Sequence, residues 1–303
     1  MNLKKRITQF LEFCTVERGL SRNTLQAYSY DLADFHNCLP SRTESADIKT
    51  EHLREYLEHM VEQRKLSNGT VRRRVACLRS FFRYCDEIGV LTDPFVGWRL
   101  KLPRRKRLPR ALSREETLTL LASARRVRTT PRVKHSGPPL TEISLMIATG
   151  IRVGELCKIQ TSDVSHDGST LRIHGKGSRD RIVYVTDSGL RSELRMLVAG
   201  RLRSSRAHGP LFLNRNGNQL RPHSFRSKLR ISAGSAGLQH RVTPHMLRHT
   251  AATLLIESGV DIRIVQRLLG HSSIATTEIY THVSDEALRS TLQRANILGA
   301  LVA

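Results

Sequence analysis

Acidic residues are scarce in this chain. Lysine and arginine number 50 against 27 aspartate and glutamate, a formal net charge of +23 at pH 7. Such an excess suits a polyanionic partner, most simply nucleic acid. Long apolar runs are missing as well. None approaches the roughly 18–20 residues of a membrane-spanning helix, so a membrane is not an expected partner. The N-terminus is not built as a signal peptide, because Glu12 interrupts a short apolar run. A cytoplasmic protein is therefore expected. Cysteines number five, an odd count, and are scattered with no Cys-x-x-Cys pair. That argues against both a zinc knot and a disulfide framework. A Gly-Lys-Ser/Thr nucleotide loop is absent, as is an acidic cluster for a metal. No cofactor is expected.

What is present divides naturally in two. The 303 residues suffice for about two domains of ~100–200 residues each. Residues 1–98 read as four helices: 3–18, Ser21 to Leu39, Thr50 to Lys65, and, after an Asn68-Gly69 turn, Thr70 to Ile88. On the second helix Leu25, Tyr28, Leu32, Phe35 and Leu39 share a face. On the fourth, Val71, Val75, Leu78, Phe82 and Cys85 form the buried stripe. Arg72, Arg79 and Arg83 cluster off that stripe with no acid among them, a pattern suited to phosphate contact. Residues 99–110 hold seven basic residues, among them Arg104, Arg105, Lys106 and Arg107, with two prolines and no acid. Such a segment buries little and reads as an extended linker lying on DNA.

Residues 111–303 mix helices with a few strands. Ser113 and Glu116 form a capping box. Residues 125–139 read as a basic loop with no assigned role. Residues 140–149 are an apolar helix broken by Gly150, and Arg152 opens the next helix with Glu155 at i+3 to brace it. Two strands, around 171–174 and 181–185, flank the turn Gly175-Lys176-Gly177-Ser178-Arg179-Asp180. A third short strand is expected at Leu211-Phe212-Leu213, and helices at about 187–202 and 222–235. Thr243 caps a helix with Pro244 at its first position, which places His245 and Arg248 at i and i+3. A further helix begins at Val260-Asp261 and stops at Gly270; His271 follows, then Tyr280. Histidines, arginines and a tyrosine at helix ends suggest an anion site beside a nucleophile.

The blocks Ala-Thr-Gly-Ile-Arg152-Val-Gly-Glu155-Leu, His245-x-x-Arg248, Leu-Gly-His271 and Tyr280 resemble the tyrosine recombinases, or phage integrases, and most closely their Xer-like branch. Ser21-x-x-Thr24-x-x-x-Tyr28-x-x-Asp31-Leu32 resembles that family's core-binding domain more weakly. The resemblance implies a mainly α fold: an N-terminal four-helix, SAM-like core-binding domain and a mixed α/β catalytic domain with a small antiparallel sheet, closing as a C-shaped clamp on DNA. It implies a catalytic set of Arg152, Lys176, His245, Arg248, His271 and the nucleophile Tyr280, with Glu155 in support. It further implies a 3′-phosphotyrosyl intermediate without metal or ATP, and a double-stranded DNA partner carrying an inverted-repeat core site. The expected assembly is a homotetramer on DNA, or a heterotetramer with a related recombinase. The helix at 285–298 is expected to dock on a neighbouring subunit. No arm-binding domain precedes the four helices, which favours a simple Xer-type or mobile-element enzyme.

Two other readings use the same residues. A type IB topoisomerase-like enzyme would relax DNA without a specific site, and a non-catalytic DNA-binding protein would keep all its activity with Tyr280→Phe. His245 and His249 have a spacing that zinc can use, but the helix lacks the accompanying glutamate and a third ligand, so no metal is expected. His249, His282 and His174 are read as structural or DNA-facing.

Overall fold

The computed structural model describes residues 3–40, 47–98, 110–128, 140–175, 180–203, 209–270 and 285–302. The chain divides into two compact units, Met1–Arg107 and Leu108–Ala303.

The first unit is helical: α1 (Leu3–Val16), α2 (Arg22–Cys38), α3 (Thr50–Glu58) and α4 (Asn68–Glu87). Ser21 caps α2 by accepting from the Thr24 N–H. The helix expected to run to Lys65 changes at His59 into one π-helical turn, His59–Gln63. The expected Asn68-Gly69 turn is instead the first turn of α4. Ser67 caps that helix through the Thr70 N–H, and a first-turn N–H needs no helical partner. The core is aromatic: Phe10, Phe35, Phe81 and Phe82 are fully buried, and Phe35 meets the Tyr56 ring edge-on at 5.2 Å. All five residues of the α4 stripe are buried.

A charged cluster ties α2 to α3 and α4. Arg73 pairs with Asp31, Arg74 pairs with Asp34, Arg64 reaches both Asp34 oxygens at 2.7 and 2.9 Å, and Tyr56 Oη donates to Asp34 Oδ2 at 2.7 Å. Asp31 is only 1% exposed, so its desolvation outweighs the nearby arginines and pushes its carboxyl up. For Asp34 desolvation is outweighed by Tyr56, Arg64 and Arg74, and its carboxyl is held down. The arginines of α4 therefore differ in their surroundings. Arg73 and Arg74 turn to the acids of α2, whereas Arg83 is exposed. Arg79, also exposed, bonds the Trp98 carbonyl at 3.3 Å and lies over the Phe95 ring at 5.2 Å.

The second unit runs α5 (Arg114–Arg128), α6 (Leu140–Thr149), α7 (Val153–Leu156), β1 (Thr170–Ile173), β2 (Arg181–Tyr184), α8 (Ser188–Arg203), α9 (Pro222–Ser235), α10 (Pro244–Glu257), α11 (Ile262–Leu269), α12 (Asp285–Ala295) and α13 (Ile297–Val302). The capping box forms: Ser113 Oγ accepts from the Glu116 N–H at 3.1 Å, and Glu116 Oε2 from the Ser113 N–H at 2.9 Å. Residues 125–128, read as loop, continue α5. Buried α6 forms the centre of the unit, packed on α10 and touched by α5, α8 and α13. Strands β1 and β2 pair antiparallel with Leu171 opposite Val183 and Ile173 opposite Arg181. The expected strand at 211–213 is reduced to an isolated Leu213–Gln219 bridge, because the chain turns at Gly217 directly after it. The helix expected at 285–298 breaks at Asn296. In this single chain α13 lies on α5, α6 and α10 of its own unit, with Leu292, Ala295, Ile297 and Leu301 buried.

Gly150 ends α6 with φ +63°, a left-handed conformation, and a Cβ there would lie 2.3 Å from Leu269 Cδ2. This close approach seats α6 on the end of α11. Gly150→Ala should lower folding stability by about 1–2 kcal/mol from backbone strain alone, measured by denaturant titration; an unchanged midpoint would mean that residue 150 does not hold its left-handed conformation in solution.

Candidate active site

Arg152 caps α7, and Glu155 completes the first turn. Glu155 Oε2 accepts from the Arg152 backbone N–H at 2.9 Å, and Oε1 from Arg152 Nη1 at 3.0 Å. The expected i,i+3 brace is thus both a helix cap and an ion pair. Arg248, on the first turns of α10, is 5% exposed. Its Nη1 donates to the Gly150 carbonyl at 2.7 Å and its Nη2 to the Leu269 carbonyl at 2.6 Å. Arg152 Nη2 donates to the next carbonyl, Gly270, at 2.9 Å. Both predicted arginines therefore converge on the C-terminal end of α11.

The last carbonyls of a helix lack intrahelical partners and carry partial negative charge. The end of α11 is therefore a natural seat for guanidinium groups. Gly270 is its left-handed cap, with φ +63°.

A third arginine, which the sequence reading left as an ordinary strand residue, completes the group. Arg181 Nη1 and Nη2 reach Glu155 Oε1 and Oε2 at 3.1 and 2.8 Å, and its Nε donates to the Leu268 carbonyl at 3.2 Å. Strand alternation held the signal. Val183 and Val185 point into the core, so Arg181 shares their face, while Ile182 is exposed.

The charges shift one another. Burial, with repulsion from Arg152 and Arg181 against attraction to Glu155, pushes the Arg248 guanidinium down to about 10, so it stays charged at neutral pH. Burial would raise the Glu155 carboxyl, but its bonds from Arg181 and Arg152 outweigh that and hold it below the usual carboxylate range. A guanidinium carries five N–H donors. Bonds to described residues use two from Arg152 and two from Arg248, leaving donors for a further anion.

Thr243 Oγ1 caps α10 through the Met246 N–H at 3.3 Å, and His245 stands exposed on the first turn. His249 is half-buried, and burial together with His245 and Arg248 lowers its pKa. His174, at the end of β1, bonds Asp180 Oδ2 through Nδ1 at 2.8 Å and Asp163 Oδ1 through Nε2 at 3.2 Å. Among the described residues there is no group of acids, histidines and cysteines suited to a metal. Lys176, His271, Tyr280, His282 and the linker residues Arg104, Arg105, Lys106 and Arg107 lie outside the described residues.

An arginine pair gathered on a helix end, ahead of His271 and Tyr280 in the sequence, can now be set beside known proteins. The sequence pattern of the Phage integrase family matches residues 111–287, and that of the Phage integrase, N-terminal SAM-like domain matches residues 7–87. The chain belongs to the phage integrase family, the tyrosine recombinases, enzymes that cleave and rejoin DNA. Within it, several of the relatives are Xer proteins. The chain is 36% identical to tyrosine recombinase XerD of Rhizobium meliloti, covering 95% of this chain and 93% of the relative. It is 34% identical to tyrosine recombinase XerC of Roseiflexus castenholzii, covering 94% and 91%. The crystal structure of XerH site-specific recombinase bound to difH substrate matches at 25% identity and TM-score 0.65, over 94% of this chain and 82% of that one. A lambda integrase dimer bound to a COC' core site matches at 18% identity and TM-score 0.69, over 90% and 96%, which reports the shared fold.

Two predictions follow from these charges. Glu155→Ala would strip the partly buried Arg181 of its two-oxygen partner and the exposed Arg152 of its ion pair, and should cost about 2 kcal/mol, read as a lowered denaturation midpoint. Because Glu155 is depressed, its contribution is complete above the free-carboxylate range and is lost as pH falls through its folded value. His174 behaves oppositely: its two carboxylate partners raise its pKa. Its contribution is complete below the free-histidine value of about 6.5 and is lost as pH rises through the folded value. An NMR titration of the His174 ring should find a midpoint above that of free histidine; one at or below it would show that the two acids do not bind the ring in solution.

Proposed function

We propose that the chain is a site-specific recombinase that exchanges DNA strands at an inverted-repeat core site within a synaptic tetramer. The observation that carries this reading is the convergence of Arg152 and Arg248 on the end of α11. Both forks are braced, and both keep donors for the non-bridging oxygens of a phosphodiester.

In the proposed step the Tyr280 hydroxyl attacks the scissile phosphorus. A new P–O bond to tyrosine forms, and the P–O5′ bond breaks. Free tyrosine ionises near pH ~10, so it needs a base and positive surroundings; His245 takes the phenolic proton. Lys176 delivers a proton to the leaving 5′-oxygen. Arg152, Arg248 and His271 stabilise the charge that builds on phosphorus. The 3′-phosphotyrosyl link conserves the phosphodiester bond energy, so religation needs no nucleotide, and a 5′-hydroxyl from the partner duplex completes the exchange.

The basic segment at 104–107, with Arg72 and Arg83, supplies phosphate contacts to the duplex. Arg79 has the smaller role there, being engaged with Trp98 and Phe95. In the assembled tetramer residues 285–303 leave their own unit and dock on a neighbour, which re-buries the apolar surface of Leu292, Ile297 and Leu301. Deleting 285–303 should then abolish strand exchange and spare single-site cleavage; undiminished exchange would remove this step.

Covalent trapping tests the central reading. The protein is incubated with nicked genomic fragments and denatured, and the protein-linked DNA is sequenced. Adducts at one short inverted repeat, absent with Tyr280→Phe, are expected. Adducts scattered over many sequences would point to a relaxing, topoisomerase-like enzyme instead, and none on any fragment would overturn the strand-transfer reading. Arg83→Ala should weaken binding uniformly across sequences and reduce the salt slope of affinity by about 1, as read by fluorescence anisotropy at several ionic strengths.

A further inference from the structure

Arg181 belongs to neither the expected catalytic set nor the expected DNA contacts, yet it sits where three parts of the site meet. It is the first residue of β2, five positions after Lys176 in the sequence. Its side chain is 18% exposed. Two of its nitrogens bond the two Glu155 oxygens, and the third bonds the Leu268 carbonyl of α11.

Glu155 is the junction. Its Oε1 accepts from Arg152 Nη1 and Arg181 Nη1, and its Oε2 from the Arg152 backbone N–H and Arg181 Nη2. A carboxylate offers about four acceptor positions. Two are filled by Arg152 and two by Arg181, so the carboxylate is saturated and its rotation is fixed. Without Arg181, Glu155 would be held from one side only, and the Arg152 side chain with it.

The carbonyls at the end of α11 show the same division of labour. Leu268, Leu269 and Gly270 are taken in order by Arg181, Arg248 and Arg152. The backbone at Gly270 also lies against the Arg181 guanidinium, since a Cβ built there would be 3.5 Å from Nη1. On the other side of Arg181, the neighbouring Asp180 is bonded by His174, which joins the two sides of the hairpin stem at 2.8 Å.

We infer that Arg181 is a positioning residue for strand transfer: it ties the start of β2, Glu155 and the α11 end together, so that the Arg152 and Arg248 forks reach the phosphate in one arrangement. This rests on the recombinase reading above. Arg181 is assigned no contact with DNA. Lysine cannot substitute, because one ammonium cannot span two carboxylate oxygens and a carbonyl on another element with the geometry of a planar fork.

The test uses the full chain and a nicked duplex bearing the site recovered by covalent trapping. Duplex affinity, thermal midpoint and the single-turnover rate of adduct formation are measured for wild type, Arg181→Lys and Arg181→Ala. Arg181→Lys should keep wild-type affinity and a folded transition, yet form adduct about 10–100-fold more slowly, the scale on which small misplacements act. Millimolar guanidinium should restore part of the Arg181→Ala rate and leave wild type unchanged. Wild-type rates in both variants would overturn the inference. So would a rate loss that only follows lost folding or lost DNA affinity, with no guanidinium rescue. If wild type itself forms no adduct, the recombinase reading fails first, an outcome separate from failure of the Arg181 role.

Discussion

Like charges brought together in a protein repel, by about 4 kcal/mol for two unit charges about 4 Å apart at an effective dielectric of about 20. The catalytic unit assembles three guanidinium groups, and the end of α11 with one carboxylate is what holds them. Each arginine takes one of the carbonyls of Leu268, Leu269 and Gly270, and two of them share Glu155. The helix end contributes about half a negative charge and Glu155 a full one, so a positive surplus of about 1.5 remains. That surplus is of the size a phosphodiester can neutralise, and it grows in value as the phosphorus gains charge.

The rest of the unit serves this convergence. Gly150 lets α6 close on Leu269 and offers its own carbonyl to Arg248. The buried α6 fixes α10, and α10 delivers Arg248 to the α11 end. The β-hairpin brings Arg181 in from the opposite side in sequence, 26 residues after Glu155. The first unit meets its own burial problem in the same way: Asp31 and Asp34 are compensated by Arg73, Arg74 and Arg64 rather than left alone in the core. In both units, arginines that would count as free charge in a composition tally are committed to acids or carbonyls of their own unit.

Most single elements were legible because their signals are local. Ser21, Ser113 and Thr243 cap helices through neighbours three residues away, and the α4 stripe follows the helical period. The Arg152–Glu155 brace is likewise local. Errors arose where a local signal had two meanings. Asn68-Gly69 suits a turn, but Ser67 beside it caps a helix, and the first turn tolerates both residues. Leu211 to Leu213 is apolar and strand-like, but it makes only isolated pairings, Leu211 with the Ile159 carbonyl and Leu213 with Gln219 across a tight turn, so no ladder forms.

The sequence by itself determined which residue types stand at which spacing: the arginine, histidine and tyrosine blocks, the basic excess and the helix caps. These depend on chemistry within a few positions along the chain. Only the tertiary structure decided where the arginines spend their donors. That Arg248 is buried against Gly150 and Leu269, that Arg181 joins Glu155 to Leu268, and that α13 lies on its own unit are contacts between residues far apart in sequence. Spacing along the chain carries no such information, because these pairings follow from the packing of helix ends against one another and from the need to match every buried charge.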